Sequence, residues 1–299
     1  MTKIRVILKK TMPLAVRLYV IGRGKALEIS VALADSPKAS RMKRFFPNFM
    51  PRRNLERNPY QVHENHSARR LNLLMDCISN VTTYLEVGVA AGRTFEAVRV
   101  PFKWGVDPIP QFNPYFLPVG SRFSVAFSDS FFEGLQKNIS FDLIFLDGLH
   151  QWEQTYKDLI NVFSHSNLQT LVLMDDVIPV DEFSSWRNHH EALEARKAFG
   201  GTSLNWNGDI FKVLLALRDY HPELDWCVIN QEPNPQAVIW KKREVDTVSL
   251  LAPFDVYDSV TYKDLFKDGT PPNWFNCVDE GEAINRARMQ NQLKKRLET

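Results

Sequence analysis

Thr82–Gly92 (TTYLEVGVAAG) and Phe141–His150 (FDLIFLDGLH) decide how this chain folds. Each opens on an apolar run and closes on a turn carrying glycine and acid. A strand covered on both faces reads as a continuous apolar run, not an alternating one, and a glycine directly after it marks a tight turn toward a helix. Working outward, Lys103–Asp107 (KWGVD), Arg122–Phe127 and Leu168–Met174 (LQTLVLM) predict three more short strands. Between them lie helical stretches, from about Arg93, from Ser128 and Asp129 as N-cap candidates, and from about Gln151 to Ser164. Upstream, Leu71, Leu74, Met75 and Ile78 recur at helical spacing over His66–Asn80. Downstream, Asp209–Tyr220 predicts a helix, Asp225–Asn230 and Ala237–Lys241 two strands, and Gly281–Leu297 a charged terminal helix. Short strands alternating with helices specify βαβ units and a doubly wound, parallel α/β sheet. The expected organisation is an N-terminal extension over 1–65, one α/β domain over 66–245 and a C-terminal extension over 246–299.

Composition narrows the class. The 299 residues are 44% hydrophobic and 24% charged, enough for a packed core. Met12–Gly22 is apolar but interrupted by Arg17, too short and too charged to span a bilayer. No small-residue cleavage site follows it, so a cytoplasmic protein is expected. Cys77, Cys227 and Cys277 are widely spaced and form neither a disulfide framework nor a thiolate zinc pattern. The net charge of +2 conceals an asymmetry: residues 1–60 hold 14 Lys and Arg against Glu28, Asp35 and Glu56. Such a basic, helix-compatible arm suits peripheral contact with an anionic membrane face or a phosphate-bearing substrate. A subunit contact in a homo-oligomer, or simple packing on the body, is the other use open to it.

In open α/β sheets the ligand lies beyond the carboxyl ends of the strands, where the strand order reverses. The first strand ends in Glu86-Val-Gly88-Val-Ala-Ala-Gly92. A pyrophosphate-binding turn needs glycine where Glu86 stands, and an acid there repels phosphate. The spacing suits a phosphate-free ligand with a cationic or amino-acid portion. Asp107 ends the second strand, where a carboxylate accepts hydrogen bonds from ribose hydroxyls. Strands four and five end in Asp147-Gly-Leu-His150 and Asp175-Asp176. Carboxylates meeting at one rim repel one another unless a cation lies between them, and oxygen ligation favours Mg²⁺ or another hard divalent ion. Taken singly, each aspartate could instead cap a turn.

The glycine turn with Glu86 and Asp107 resembles motif I of class I S-adenosylmethionine-dependent methyltransferases. In that family the third strand end, here Ser128 and Asp129, touches the adenine. FDLIFLDGLH and LVLMDD further resemble the metal-dependent bacterial sugar O-methyltransferases of the mycinamicin and macrolide-sugar type. That resemblance places three metal ligands on Asp147, Asp175 and Asp176 and a catalytic base on His150. It also implies S-adenosylmethionine binding at Glu86, Gly88, Gly92, Asp107, Ser128 and Asp129. Trp206–Lys212 (WNGDIFK) resembles a W-x-G-D-V-W-K segment of bacterial relatives among polysaccharide genes. The likeness spans roughly residues 65–240. It implies O-methylation of a sugar or glycan hydroxyl, with Asp147 and His150 at the chemistry.

Two other readings are weighed against it. An O-methyltransferase of a phenol or polyketide would need less help from a base, and a non-catalytic module could keep the fold alone. Nucleic acid is not the expected substrate. Amino-methylating DNA enzymes need an N/D-P-P-Y/F loop after strand four, whereas DGLH stands there and Asn113-Pro114-Tyr115 follows strand two. His189-His190 has no partner motif and reads as a surface pair near the mouth.

Overall fold

The computed structural model describes residues 65–115, 117–231, 234–243, 245 and 248–297. The basic stretch over 1–60 lies outside the described residues. Eight strands form one sheet in the order β3-β2-β1-β4-β5-β7-β6-β8. They are β1 (Thr83–Val87), β2 (Phe102–Val106), β3 (Ser121–Ser124), β4 (Phe141–Leu146), β5 (Ser166–Met174), β6 (Leu224–Ile229), β7 (Gln236–Lys241) and β8 (Cys277–Val278). The first five run parallel, and β7 runs antiparallel to both β5 and β6. The chain leaves β1 toward β2 on one side and returns to β4 on the other. The switch in winding therefore falls between β1 and β4, and the sheet is the doubly wound, Rossmann-like one expected from the sequence.

Alternation along the strands divides the core in two. Leu85, Ile144, Leu146, Val172 and Met174 face one layer, with α4 (Trp152–Ser164) and α6 (Phe211–Tyr220). Tyr84, Leu143, Phe145, Leu171 and Leu173 face the other, covered by α1 (His66–Met75) and α8 (Glu280–Leu297). Burial on both faces explains why these strands read as unbroken apolar runs. Three short or peripheral helices complete the set: α2 (Arg93–Ala97), α3 (Ser128–Gly134) and α5 (His189–Ala198), with α7 (Tyr262–Leu265) in the tail.

Several boundaries differ from the sequence expectation. α1 stops at Met75 with Asp76 as its C-cap, short of Asn80, which has a positive φ of 55°. The N-cap of α3 is Phe127, without a side-chain cap, so Ser128 and Asp129 fall inside the helix and not before it. Asp129 there sits in the first turn, where the helix dipole favours an acid. The segment from 246 onward enters both core layers. Val248, Ala252, Tyr257, Phe266 and Phe275 are buried in the first, Ala283, Ile284 and Ala287 in the second, and β8 extends the sheet beside β6. No helix among the described residues is long and apolar enough to cross a membrane.

The depth of this burial gives a stability test. Phe275 is fully buried against Phe266, so Phe275→Ala should lower stability by about 3–5 kcal/mol in urea denaturation. A loss below about 1 kcal/mol would make the tail a loose cover and not part of the core.

Candidate functional site

The rim is shaped by two turns that nearly touch. After β1 the chain turns at Gly88 with φ 85°, and a β-carbon there would lie 1.9 Å from the carbonyl oxygen of Asp147. Only glycine fits both the φ and the contact. The turn continues through Ala90 (φ 45°) to Gly92 (φ 74°), the N-cap of α2. Asp107, at the end of β2, holds this loop from below. Its Oδ2 accepts from the Val89 and Ala90 amides at 2.9 and 2.7 Å, and its Oδ1 from Ile109 at 2.7 Å. A carboxylate offers about four acceptor positions, so about one remains open to an outside hydroxyl.

Glu86 lies deeper than its motif suggests. It is 2% exposed, and its Oε2 accepts from the Tyr84 hydroxyl at 2.6 Å. Burial raises its pKa well above the carboxylate range, outweighing the Tyr84 hydrogen bond, and the Asp147 charge adds to the rise. Glu86 is thus enclosed within the strand layer, two residues before the glycine turn. Ser128 and Asp129 lie beside α4: Gln154 donates to both, and Lys157 pairs with Asp129 at 3.0 Å. Asp158, buried beneath them, has its pKa raised to about 7 by desolvation.

The carboxylates come together with the histidine. His150 Nε2 lies 3.7 Å from Asp147 Oδ1 and 3.2 Å from Asp176 Oδ2, and one ligand atom from each of the three residues falls within 4.8 Å of the others. Strand alternation would send Asp175 and Asp176 to opposite faces. Asp176 instead takes φ 61°, the left-handed region that Asp tolerates better than most residues. Asp175 is buried with its Oδ1 accepting from the Asp176 amide and the Asn234 side chain, so it stands behind the trio, not within it. Burial raises the pKa of all three acids. Asp176, pulled back by His150, reaches about 6; Asp175, pushed further by Asp176 and Asp147, lies well above the usual range.

Trp206–Asp209 encloses this trio from the far side. The Trp206 ring stacks on His150 at 4.6 Å with a 12° tilt, and its carbonyl is 3.1 Å from His150 Nδ1. With Nδ1–H donated there, Nε2 is left to face the two acids. Asn207 donates to Asp176 Oδ1 at 2.8 Å. Gly208 (φ 63°) packs so closely that a β-carbon would stand 1.9 Å from the His150 carbonyl oxygen. Asp209 accepts from the Trp152 amide at the start of α4, pairs with Lys212 at 3.2 Å and bonds Arg187. His189 is exposed, as the surface reading expects, and it also has a ring partner. It begins α5 and stacks on Trp206 at 4.8 Å, while His190 turns outward to Glu194.

Two observations test a fit to ligands. The Asp147 and Asp176 carboxylates, one oxygen of each within 4.8 Å of the other and of His150, suit a hard divalent cation with His150 Nε2 beside it. Asp107, with an acceptor position open beside the glycine turn, suits a ligand that offers hydroxyls better than a pyrophosphate.

No protein-family model matches the sequence, and no curated protein does. Among solved structures, the chain is similar to an O-methyltransferase from Bacillus cereus in complex with SAH, at 10% identity, 61% of this chain, 83% of that chain and a TM-score of 0.42. It is also similar to cofactor-bound Rv0187 from MTB (14% identity, 71% and 93% coverage, TM-score 0.43). A third is the N-methyltransferase NodS from Bradyrhizobium japonicum (12% identity, 58% and 93%, TM-score 0.36).

Gly208→Ala tests the enclosure. A non-glycine residue at this φ costs roughly 1–3 kcal/mol, and the new methyl must displace His150. We expect that loss in thermal unfolding together with shifted imidazole nitrogen resonances for His150. Unmoved resonances would show that the 206–208 turn does not hold the ring.

Proposed function

We propose that this protein is an S-adenosylmethionine-dependent O-methyltransferase that uses a divalent cation and acts on a sugar or glycan hydroxyl. The observation that carries the reading is the convergence of Asp147, His150 and Asp176 at the ends of β4 and β5, beside the Gly88 turn. When bound, S-adenosylmethionine supplies a methyl group on a sulfonium, and a divalent ion lowers the pKa of a hydroxyl that it contacts.

The chain's residues would divide the remaining work. Asp147 and Asp176, with Asp175 behind them, hold the cation. Gly88–Gly92, fixed by Asp107, cradle the methionine and ribose, and the open acceptor position of Asp107 takes a ribose hydroxyl. Glu86 supports the turn from beneath, and Ser128 and Asp129 border the adenine. His150 accepts the hydroxyl proton at Nε2, because Trp206 occupies Nδ1. The acidic rim favours a cationic donor. The base favours a sugar acceptor: a phenol ionises near pH 10 unaided and needs less assistance.

The measurements separate cofactor from cation. Asp147→Ala or excess chelator should abolish methyl transfer while leaving S-adenosylmethionine binding, read by calorimetry, nearly intact. Full turnover in chelator would remove the cation from the proposal.

Asp107→Ala should behave oppositely. Loss of the loop anchor and the ribose contact should weaken cofactor binding at least about tenfold, about 1.4 kcal/mol, with metal binding unchanged. Wild-type affinity in Asp107→Ala would put the cofactor elsewhere. Retained turnover in His150→Ala would shift the acceptor from a sugar to a phenol.

A further inference from the structure

We propose that Asn207 and Asn234 are the positioning residues of the Asp175–Asp176 pair, deciding which carboxylate oxygens are left for a cation. The inference rests on the cation reading above and concerns side chains that the family resemblance does not assign: Asn207 occupies the variable position of W-x-G-D, and Asn234 lies in the β6–β7 connection outside every motif.

Two adjacent acids at a strand end have no intrinsic reason to serve one site. The left-handed turn at Asp176 brings them to the same rim, but a carboxylate on a short side chain can still rotate. The two amides remove that freedom: both act on Asp176, and Asn234 also holds Asp175. Asn207, on the segment before α6, donates Nδ2 to Asp176 Oδ1, which leaves Oδ2 as the oxygen 3.2 Å from His150 Nε2. Asn234 donates Nδ2 to Asp175 Oδ1, which also accepts the Asp176 amide, and Gln236 bonds the same carboxylate, so Asp175 is held behind Asp176 as its support.

Each amide is itself firmly placed. Gly208 presses the 206–208 backbone against the backbone of His150, which fixes Asn207 between the histidine and the acid. The buried Arg70 guanidinium donates to the Asn234 carbonyl, the Gln231 carbonyl and Gln236 Oε1, and pairs with Glu280. Asn207 Oδ1 provides a second, independent sign. It is buried with no hydrogen-bond partner, while the amide nitrogen faces the acid. A buried acceptor without a donor is costly, and native structures keep few of them outside functional sites. Its presence is accounted for if the orientation of Nδ2 toward Asp176 is what the position requires.

Groups that hydrogen-bond a ligating carboxylate commonly set metal affinity by 10- to 100-fold. The test is Mn²⁺ titration of the full chain by electron paramagnetic resonance, with melting temperature and S-adenosylmethionine affinity as controls. Wild type should bind Mn²⁺. Asn207→Ala and Asn234→Ala should each bind it about 10- to 100-fold more weakly and alter the spectrum of what remains bound, at unchanged cofactor affinity. The isosteric Asn207→Asp and Asn234→Asp replace a donor by an acceptor and should lose at least as much; they decide the matter if the alanine variants do not fold. Folded variants that bind Mn²⁺ with wild-type affinity and spectrum overturn the positioning role while leaving the cation reading intact. Failure of wild type to bind Mn²⁺ overturns the cation reading itself, and this inference with it.

Discussion

The approach of Gly88 to the Asp147 carbonyl is the constraint on which the site depends. It occurs where the sheet changes winding direction, so the two halves of the fold are locked together at their point of divergence. The Gly88 amide bonds Val106 on one side, and the Asp147 amide bonds Val87 on the other. Backbone from β1, β2 and β4 therefore meets within one turn, before any side chain acts. Asp107 can hold the glycine loop, and Asp147 can face His150, because this contact leaves neither turn room to shift.

Around that contact the electrostatics are unusual for a protein interior. Glu86, Asp147, Asp158, Asp175 and Asp176 all have raised pKa values, chiefly through burial. Arg187 and Lys212 stand close by but are both engaged with Asp209, one turn away from the trio. The positive groups of the WNGDIFK neighbourhood are thus taken up at Asp209, and the side chain that meets Asp147 and Asp176 is His150, whose pKa burial lowers but the two acids raise above its usual value.

Much of this was legible in the sequence. The unbroken apolar runs of β1, β4 and β5 mark strands buried on both faces, and the acids that end them fall at one rim because parallel strands end together. What could not be read were features that depend on distant chain segments. Nothing near Asp175 announces that it will turn toward Asn234, or that Asp176 will adopt a positive φ. Asp107 was expected to face outward toward ribose, yet three backbone amides claim it, a demand set by loop geometry and invisible in spacing. Glu86 looked like a rim anion, but Tyr84, two residues earlier on the same strand face, encloses it. His189 lacked a motif because its partner, Trp206, arrives from the far end of α5. The tail looked like an appendage since it is polar on average, although its few apolar residues are the ones that fill both cores.

That last feature bears on how the molecule comes into being. Arg70 and Glu280 are 210 positions apart, and Phe275 and Ile284 fill layers built largely from residues before 241. On a ribosome, the glycine turn and its acids emerge long before the segments that enclose them. Long-range closure of this kind slows folding and prolongs exposure of apolar strands. During synthesis the nascent sheet must wait, half covered, until the segments that close its two faces have been made.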